Sequence, residues 1–535
     1  MRNIEIPYVE ERGKRYRLFE MLPGLITWSI LALPFILSQI NPRLCVFFII
    51  GYLLLWFVKA LGLNIRAVQG YRLLQQHQKL PWPQMLAEMK SGKVAQPDRH
   101  IPSWHYENIL RLSEQPTPIE PDDIVHAIVI AAYNESLEVL EPTVLSVLDS
   151  AYDMKRVILV FAYEGRDGAQ SESAVLELVR KYSRKFKHVI ATKHPLNDKE
   201  IRGKGGNITY AARELVDYVK QSNIDPLNVI VTTLDADNRP HKYYLAALSY
   251  LYAATPNPLY VSYQPIPIYS NNIWDAPAPM RVIATGNSFW NIVLSTRHHM
   301  IRNFSAHAQS LQTLIDTEFW STRTIVEDGH QFWRTYFRYE GRHEVYPLYV
   351  PIFQDAVLSS TYIKTLKAQF IQIRRWAWGA SDVAYVAEKG FFTQNDIPKT
   401  DLLLKFARLL EGHITWAVAP LILAFSAFIP ALFNPQDFAS QQLPILASQI
   451  QRIALLGIVV TLFLSVKMLP PKPARYKHRR TVLMMVQWVM LPVTTIVYNS
   501  FAALNSQTRL MFGWYLGKFD VTDKAVVTVD KQKII

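Results

Sequence analysis

Long apolar stretches stand near both ends of the chain, on either side of a region of mixed polarity. Each is close to the length of about 20 residues that a helix needs to cross a hydrocarbon core, and prolines within them are tolerated in membrane helices. The pattern predicts a hairpin of two membrane helices near the N-terminus and three apolar segments near the C-terminus. The stretches are Met21–Ile40, Leu44–Leu63, Ile414–Phe433, Ile453–Leu469 and Thr481–Phe512.

Lysine and arginine are unevenly distributed between these stretches, and this indicates an orientation. The turn of the hairpin carries only Arg43, whereas five basic residues precede the first stretch. Segment 467–480 holds six, whereas loop 434–452 holds only Arg452. Because cytoplasmic loops are enriched in lysine and arginine, we expect the N-terminus and residues 64–411 on the cytoplasmic side.

The last stretch leaves the number of crossings open at four or five. Its second half is amphipathic, which favours a return to the cytoplasmic interface rather than a crossing. The polar residues of this half are Asn499, Asn505, Gln507 and Arg509.

Short apolar runs alternate with helical segments from Ile124 onwards. This β-α-β-α order predicts an α/β domain with a mostly parallel sheet and helices on both faces. Ligands of such sheets bind beyond the carboxyl ends of the strands. The predicted strands are Ile124–Ala132, Val157–Tyr163, Val189–Thr192, Val229–Leu234 and Leu259–Tyr263. The predicted helices include Pro142–Leu148, Ala174–Phe186, Asn207–Lys220 and Tyr243–Tyr252.

Composition supports a membrane protein and narrows its partners. The chain has 535 residues, of which 50% are hydrophobic, and a net charge of +13. Excess positive charge fits a cytoplasmic face beside anionic lipid. A basic groove for nucleic acid is the other interpretation, but the basic residues cluster beside apolar segments, so we expect no nucleic-acid partner. Cys45 is the only cysteine, which excludes an intramolecular disulfide and a cysteine-based metal site.

An acidic pair, Asp235 and Asp237, follows the apolar run Val229–Leu234 with one alanine between the two. Two carboxylates at the tip of a buried strand can hold a hard divalent cation, Mg²⁺ or Mn²⁺, against a diphosphate. An acidic turn cap is the alternative, but the strand before the pair favours the cation. We expect Asp237 to contact the metal directly and Asp235 to contact a ribose or a metal-bound water.

A second acidic pair, Glu327-Asp328, precedes the aromatic segment Phe332–Phe337. Two acids at a helix start fit simple capping of the helix dipole. Beside a site for a sugar diphosphate, they also fit a general base that takes a proton from an acceptor hydroxyl.

Gln372, Arg375 and Trp376 lie together in a predicted helix. The indole offers a flat apolar face to a sugar ring, the guanidinium can neutralise a diphosphate, and the amide can bind hydroxyls. An amphipathic helix anchored at the membrane interface by Trp and Arg is compatible with the same residues.

Two polar segments are weaker signals. Lys204-Gly205-Gly206-Asn207 opens a helix, where backbone amides and the lysine can meet an anion, and a flexible turn is the alternative. Segment Phe519–Lys524 fits either a disordered tail or a mobile loop that closes over a nucleotide, with Thr522 and Lys524 reaching phosphate.

In their order and spacing, these residues resemble the membrane-integrated family 2 glycosyltransferases, which include cellulose, hyaluronan and chitin synthases. The resemblance runs from about Ile128 to Trp376, and segment 519–524 resembles the F-x-V-T-x-K gating loop of bacterial cellulose synthases. It implies a GT-A-like domain and an inverting, Mg²⁺- or Mn²⁺-dependent transfer from a nucleotide sugar, of which a UDP-sugar fits best, to form a β-linkage. The matching residues are Tyr133-Asn134-Glu135, Lys204-Gly205-Gly206-Asn207, Asp235 and Asp237, Glu327-Asp328, and Gln372, Arg375 and Trp376.

The resemblance also implies roles for single residues. Asp328 would be the base, beside Glu327. The acceptor end and the diphosphate would be held by Gln372, Arg375 and Trp376. The nucleotide would be surrounded by Tyr133, Glu135 and Glu164. The gating loop would be formed by Phe519, Val521, Thr522 and Lys524. Two positions depart from the family pattern, because Glu164 stands where Asp is usual and Val326 replaces a threonine.

These features predict an integral membrane protein of the bacterial plasma membrane with a cytoplasmic catalytic domain. Residues 525–535 are too few for a cyclic-dinucleotide-binding domain, so we expect no control of that kind through them. The predicted segments are a transmembrane hairpin (1–63), a helix and linker (64–123), a GT-A domain (124–345), interfacial helices (346–411), a transmembrane region (412–512) and a gating-like loop (513–535).

Three functions remain open from the sequence. The first is a processive polysaccharide synthase that extrudes its product. The second is a single transfer to a lipid acceptor, since Q-x-x-R-W also occurs in lipid glycosylation enzymes. The third is a transporter or receptor that only binds a nucleotide sugar, but a pure binder has no need for Asp328. The gating-like motif and the aromatic-rich segment Asn287–Phe304 favour the first.

Overall fold

An eight-stranded sheet forms the centre of the molecule. The computed structural model describes residues 3–92, 101–165, 169–195 and 197–517. The strands are β1 Val125–Ala132, β2 Val157–Glu164, β3 His188–His194, β4 Val229–Asp235, β5 Arg239–Pro240, β6 Val261–Tyr269, β7 Ala308–Ser310 and β8 Glu344–Gln354.

The sheet is largely parallel, and its order is β3-β2-β1-β4-β7-β6-β8-β5. β1 pairs in parallel with β2 and β4, and β2 pairs in parallel with β3. The short strand β7 runs antiparallel to β4 and β6, and β6 pairs in parallel with β8. The carboxyl ends of β1, β2 and β4 therefore meet at one edge. The predicted fold class, an α/β domain with a mostly parallel sheet flanked by apolar helices, is confirmed.

Helices account for the rest of the regular structure. In chain order they are α1 Lys14–Ile40, α2 Pro42–His77, α3 Trp82–Ser91, α4 Ser103–Glu114, α5 Leu137–Leu148, α6 Ala169–Tyr182, α7 Lys204–Gln221, α8 Tyr244–Ala254, α9 Ala278–Ser295, α10 Leu311–Asp316, α11 Glu327–Arg338, α12 Tyr362–Ala377, α13 Asp382–Phe391, α14 Lys399–Phe425, α15 Ile429–Phe433, α16 Phe438–Ala454, α17 Leu456–Lys467, α18 His478–Val486, α19 Leu491–Thr494 and α20 Phe501–Phe512.

Helices cover both faces of the parallel part of the sheet, because alternate side chains of each strand point to opposite faces. Ile128 and Ile130 of β1 belong to the core that contains α5, α6 and α8. Ala127 and Val129 of the same strand belong to the core that contains α7. This double burial explains why the strands read as nearly continuous apolar runs rather than as alternating ones.

Five helical stretches of the described chain are long and apolar enough to cross a membrane. They contain four of the five apolar stretches that the sequence pattern predicts, and the remaining one, Ile453–Leu469, extends two residues beyond Lys467. α1 packs against α14 and α20, and α2 packs against α16. The stretches are Lys14–Ile40, Pro42–His77, Lys399–Phe433, Phe438–Lys467 and His478–Phe512.

The amphipathic pattern predicts that the polar residues of the last stretch face the membrane interface, and one of them does not. Gln507 is fully buried rather than directed to an interface. Its amide accepts a hydrogen bond from Thr27 of α1 at 2.6 Å and donates one to the His413 carbonyl of α14 at 2.7 Å. The amide is thus satisfied between helices, which is how polar groups are accommodated among membrane helices.

The residues before α1 are part of the core beside the sheet. Ile4 and Ile6 are buried among aromatic side chains of α11. Glu5 forms an ion pair with Arg334 of α11 at 2.8 Å, and the Tyr385 hydroxyl of α13 donates to the Ile4 carbonyl at 2.7 Å. The start of the chain therefore holds these two helices together.

A buried carboxylate on α1, Glu20, connects the two ends of the described chain. It accepts hydrogen bonds from Arg12 at 2.8 Å, from Arg17 at 2.5 Å and from the Tyr515 hydroxyl at 2.7 Å. The Arg12 guanidinium also lies 4.8 Å from the centre of the Tyr515 ring. Because breaking one side of a buried ion pair costs about 3–5 kcal/mol, this cluster fixes the point at which the chain leaves α20.

Candidate active site

A large cavity opens at the carboxyl ends of β1, β2 and β4 and continues between α2, α14 and α19. Its volume is about 1210 Å³. It brings together side chains from distant parts of the sequence, and every predicted site residue that the structure describes lines it. These residues are Tyr133, Glu135, Glu164, Lys204, Asp235, Asp237, Glu327, Asp328, Gln372, Arg375 and Trp376.

Lys204, the first residue of α7, lies between the two acidic motifs. Its Nζ is 3.0 Å from Asp235 Oδ1 and 3.3 Å from Asp328 Oδ2. Burial alone would lower the pKa of Lys204, but the carboxylates of Asp235, Asp328 and Glu327 outweigh it and raise the pKa above its usual value. The lysine is therefore a fixed positive charge that joins the strand tip to the start of α11.

The two aspartates of the strand tip have different surroundings. Asp235 Oδ2 accepts a hydrogen bond from the Ser305 hydroxyl at 2.6 Å, in addition to the lysine on Oδ1. Asp237 Oδ2 accepts the backbone N–H of Asp355 at 3.2 Å, just after β8. Asp235 is thus held by cationic and hydroxyl groups, whereas Asp237 lies between β4 and β5 and contacts the backbone just after β8.

His307 lies on the other side of Asp328. Its Nδ1 is 3.7 Å from Asp328 Oδ1 and 2.9 Å from the Phe304 carbonyl. The indole N–H of Trp320 donates to Nε2 at 3.2 Å, and since indole is only a donor, the ring proton is assigned to Nδ1. Burial lowers the pKa of His307, although the nearby Asp328 opposes this. A neutral imidazole therefore donates its Nδ1–H to the Phe304 carbonyl and lies beside Asp328, 3.7 Å away.

Glu327 is buried where α7 and α11 begin. Burial first, and then the neighbouring Asp328, raises the pKa of Glu327 to about 8. A Cβ on Gly205, in the first turn of α7, would lie 2.4 Å from the Ser321 carbonyl oxygen in the loop before α11 and 3.3 Å from Glu327 Cβ at the start of α11. Gly205 is thus required by close packing, and both helices direct their N-terminal dipoles at one region.

The Q-x-x-R-W residues lie on α12, on the membrane side of the cavity. Gln372 Oε1 accepts a hydrogen bond from Gln369 at 3.1 Å. The Trp376 ring lies 6.4 Å from the ring of Tyr269. The positive charge of Arg375 acts on both Glu327 and Tyr269. α12 thus adds an aromatic surface and a cation to the acidic region.

The tips of β1 and β2 supply the remaining predicted residues. Glu135 Oε2 accepts the backbone N–H groups of Tyr133 at 2.6 Å and Asn134 at 3.2 Å. This carboxylate therefore shapes its own turn, as Asn and Asp side chains do in related turns. Glu164 is the last residue of β2 and is buried at the cavity wall.

The four predicted gating residues Phe519, Val521, Thr522 and Lys524 lie outside the described residues. The segment just before them contacts the site. Tyr515 and Leu516 pack against a small cluster that contains Ile325 and Trp378, directly before Glu327 and at the end of α12.

Several residues of the site escaped the sequence reasoning. Ser305, His307, Trp320 and Asp355 come from loops and from the neighbourhood of the antiparallel strand β7. No motif or periodicity marks them. Only the pairing of β7 with β4 brings the Ser305–His307 segment next to Asp235.

The donor set fits a divalent cation that arrives with a phosphate ligand. Among the described residues, no group of three or more His, Cys, Asp or Glu side chains forms a complete metal site. Mg²⁺ and Mn²⁺ are commonly held by one or two carboxylates together with substrate phosphates, and Asp237 and Asp235 supply such carboxylates. The buried Oδ1 of Asn207, also at the cavity wall, has no hydrogen-bond partner within the described chain, so a further polar atom is available to a ligand.

Comparisons with known proteins found similar solved structures but no matching sequence. No family model and no curated protein matches the sequence. Among solved structures, the chain is similar to the mannosyltransferase PcManGT from Pyrobaculum calidifontis in complex with GDP-Man and Mn²⁺, at 14% identity and a TM-score of 0.37, over 82% of this chain and 99% of that one. It is also similar to S. aureus TarS 1–349 in complex with UDP-GlcNAc, at 12% identity and a TM-score of 0.35, over 74% and 93% of the two chains. A third is GalNAc-T7 with UDP, GalNAc and Mn²⁺, at 10% identity and a TM-score of 0.29, over 55% and 58%. Similarity at these TM-scores does not establish a function for this chain.

Proposed function

We propose that the protein is an inverting, metal-dependent membrane glycosyltransferase of family 2. It transfers a sugar from a nucleotide-sugar donor, a UDP-sugar by preference, to a growing β-linked polysaccharide. The single observation that carries the proposal is the bridge of Lys204 between Asp235 and Asp328. It joins a strand-tip carboxylate suited to a donor's diphosphate with a carboxylate suited to an acceptor's hydroxyl, in one cavity.

Asp328 is the proposed general base. Burial and the neighbouring Asp328 raise the pKa of Glu327, so we propose that Glu327 lies beside the base rather than acting as the base. The acceptor oxygen forms a bond to the anomeric carbon while its proton passes to Asp328. The bond from that carbon to the diphosphate breaks, and the nucleoside diphosphate leaves with the electron pair. One displacement from the opposite face inverts the configuration.

Charged groups around the cavity stabilise the leaving diphosphate. Asp237 and Asp235 would hold Mg²⁺ or Mn²⁺, which neutralises charge that develops on the diphosphate. Arg375 supplies a fixed cation for the same purpose. Lys204 keeps Asp235 and Asp328 in place. The neutral His307 donates its Nδ1–H to the Phe304 carbonyl and lies 3.7 Å from the base. Tyr133, Glu135 and Glu164 are proposed to surround the nucleotide.

The membrane end of the cavity supports a glycan acceptor. Three indole rings line it, from Trp56, Trp290 and Trp416, and flat aromatic faces suit sugar rings. Gln372 and Trp376 are proposed to hold the acceptor end. Export of the product along this part of the cavity belongs to the same proposal.

A single transfer to a membrane-lipid acceptor is the second candidate function. The same end of the cavity also presents the apolar residues Ala419, Leu423 and Leu491, which suit a lipid tail.

The five candidate membrane spans and the distribution of basic residues support an integral protein of a bacterial plasma membrane. Its catalytic domain is then cytoplasmic, with membrane lipids around α1, α2 and α14–α20. In that orientation the cavity receives a cytoplasmic nucleotide sugar at the sheet and leads toward the bilayer.

A donor screen with product sizing tests the proposal. The purified full chain in detergent is incubated with radiolabelled nucleotide sugars and Mg²⁺ or Mn²⁺, and the products are separated by size and by lipid extraction. Long labelled polymer supports the first function, and a single labelled lipid supports the second.

Asp328→Asn is the decisive variant and Asp217→Asn its matched control, since Asp217 is exposed on α7. We expect the release of nucleoside diphosphate to fall at least ~100-fold in the first variant, as general-base catalysis typically contributes this much, and to stay unchanged in the second. Equal rates in the two variants would show that Asp328 is not the base.

A further inference from the structure

Four arginines meet where the cavity reaches the ends of two membrane helices. Arg66 belongs to α2 and Arg408 to α14, and Arg297 and Arg302 follow α9. Arg297 and Arg302 line the cavity. The segment after α9 is joined to α2, because Arg66 donates to the Thr296 carbonyl at 3.2 Å. The four side chains, called the arginine cluster below, therefore come from three elements.

The charges of the cluster act on one another. Burial lowers the pKa of His299, and the charges of all four arginines act on this ring in the same direction. Burial also lowers the pKa of Arg302 to about 10, with Arg408 as the next cause, and Arg66 contributes in the same direction at Arg297. Like charges at this spacing are held together at an energetic cost.

Nearby carboxylates offset this charge only in part, and only without forming ion pairs to the arginines. Within the described ranges, no carboxylate lies within 4.0 Å of any of the four guanidinium groups. Glu411 of α14 is paired with Lys59 at 2.7 Å. Asp401 is paired with Lys405 and also accepts the Tyr336 hydroxyl at 2.7 Å. The nearby acids are thus already engaged by other groups.

The Arg302 guanidinium is held in place by aromatic rings rather than by an acid. It lies 4.1 Å from the centre of the Phe332 ring and 5.2 Å from that of Trp333. One of its N–H groups donates to the Ile301 carbonyl at 2.9 Å. Stacking of this kind leaves the remaining N–H groups of an arginine free to bind an anion.

The surface beside the cluster is apolar and exposed. On α2, Leu61 and Ile65 stand in the turns next to Arg66 and are 49% and 60% exposed. On α14, Leu404 stands one turn before Arg408 and is 55% exposed. Basic pockets between membrane helices on the cytoplasmic side suit lipid headgroups, and acyl chains would cover the adjacent apolar side chains.

We propose that Arg66, Arg297, Arg302 and Arg408 form a binding site for the phosphate of an anionic membrane lipid. The oxygens of the phosphate accept hydrogen bonds from guanidinium groups and its charge offsets their repulsion. The acyl chains lie along α2 and α14. Arg297 and Arg302 share the cavity wall with the acidic motifs, but binding of a lipid phosphate does not depend on the proposed transferase activity.

Native mass spectrometry of the full chain in detergent tests the site. Phosphatidylglycerol is compared with phosphatidylcholine at equal concentration, and inorganic phosphate and glycerol phosphate are added as competitors. We expect phosphatidylglycerol to be retained at least ten-fold more strongly than phosphatidylcholine, and neither soluble phosphate to displace it at equal concentration.

Two variants locate the binding. Arg302→Gln and the double variant Arg66→Gln/Arg408→Gln are each expected to lose this preference. Arg452→Gln, an exposed arginine on α16, is expected to keep it. The double variant changes partly exposed residues, so it tests the site even if Arg302→Gln does not fold.

Three results would overturn the proposal. If both variants retain phosphatidylglycerol as the unaltered protein does, the lipid binds elsewhere. If phosphatidylcholine binds equally well, only tail contacts operate. If inorganic phosphate displaces the lipid at equal concentration, the site takes a soluble phosphate. No sugar donor is present in these measurements, so a failed donor screen does not affect them.

Discussion

Glu327 gives the protein a pH dependence of stability with a definite sign. Its carboxyl is buried, and its pKa is raised from 4.5 to about 8, by burial first and then by Asp328. In an unfolded chain the same group ionises near its ordinary value. Between these two pH values the folded protein keeps a proton that the unfolded chain releases. Stability from this group is therefore fully present below pH 4.5 and is lost as the pH rises through 8.

The size of the effect follows from the same two values. Each unit of pKa difference corresponds to about 1.36 kcal/mol, so the difference between 4.5 and about 8 sets a ceiling of about 5 kcal/mol on the lost stability. Glu327→Gln replaces the carboxyl with an amide that stays neutral at every pH. The variant should therefore lose none of this contribution between pH 5 and pH 9.

Thermal unfolding followed by tryptophan fluorescence, at steps from pH 5 to pH 9, measures the effect. We expect the melting midpoint of Glu327→Gln, relative to the unaltered protein, to rise by several degrees over this range. The difference at pH 5 records any cost of the substitution itself. Glu177→Gln, at an exposed position on α6, should show a flat difference. A flat difference for Glu327→Gln as well would refute the reasoning, because Glu327 would then ionise alike in both states.

Three further perturbations test other parts of the site. Gly205→Ala places a Cβ 2.4 Å from the Ser321 carbonyl oxygen. We therefore expect the free energy of unfolding to fall by roughly 2 kcal/mol in the same assay. The control Gly51→Ala places a Cβ where no atom lies within 4 Å, so its stability should be unchanged. Trp320→Phe removes the N–H that orients His307. Because such a hydrogen bond contributes about 1 kcal/mol, we expect kcat to fall roughly five-fold with KM unchanged in donor-turnover assays. A change confined to KM would contradict this. Removal of divalent cations with EDTA should abolish donor binding measured by calorimetry, and added Mn²⁺ or Mg²⁺ should restore it; undiminished binding would contradict the proposed role of Asp237.

The sequence located the central strands and the residues at their tips because each depends on local pattern. Val229–Leu234 is a continuous apolar run because both faces of β4 are covered. The strand and the acids after it can therefore be predicted from the sequence alone. The membrane helices can be predicted for the same reason, since their length and apolar composition are local features of the sequence.

Prolines within two strands prevented part of the sheet from being predicted. β6 continues to Tyr269, but the predicted strand ends at Tyr263, because Pro265 and Pro267 follow and proline is rare inside strands. β8 was not predicted, and it contains Pro347 and Pro351. The register shifts between Pro265 and Ile266, which is how the ladder accommodates residues that cannot donate.

The polar partners of the acids were hidden for a different reason. Ser305 and His307 approach Asp235 and Asp328 only because the chain returns through β7, a strand of three residues. A strand this short carries no periodicity. Its partners on β4 lie 76 to 80 residues earlier along the chain, and no local rule relates segments at that separation.

The Glu20 cluster imposes an order on how the molecule is completed during synthesis. Arg12 and Arg17 lie beside Glu20 in sequence, so the carboxylate has its cationic partners as soon as α1 forms. Its third partner, Tyr515, is 495 residues further along the chain and is among the last described residues to leave the ribosome. Ile4 and Glu5 likewise make their contacts only after α11 and α13 have been synthesised. Because contacts this distant in sequence form late, the first membrane helix is expected to be inserted long before its contact with the C-terminal segment exists.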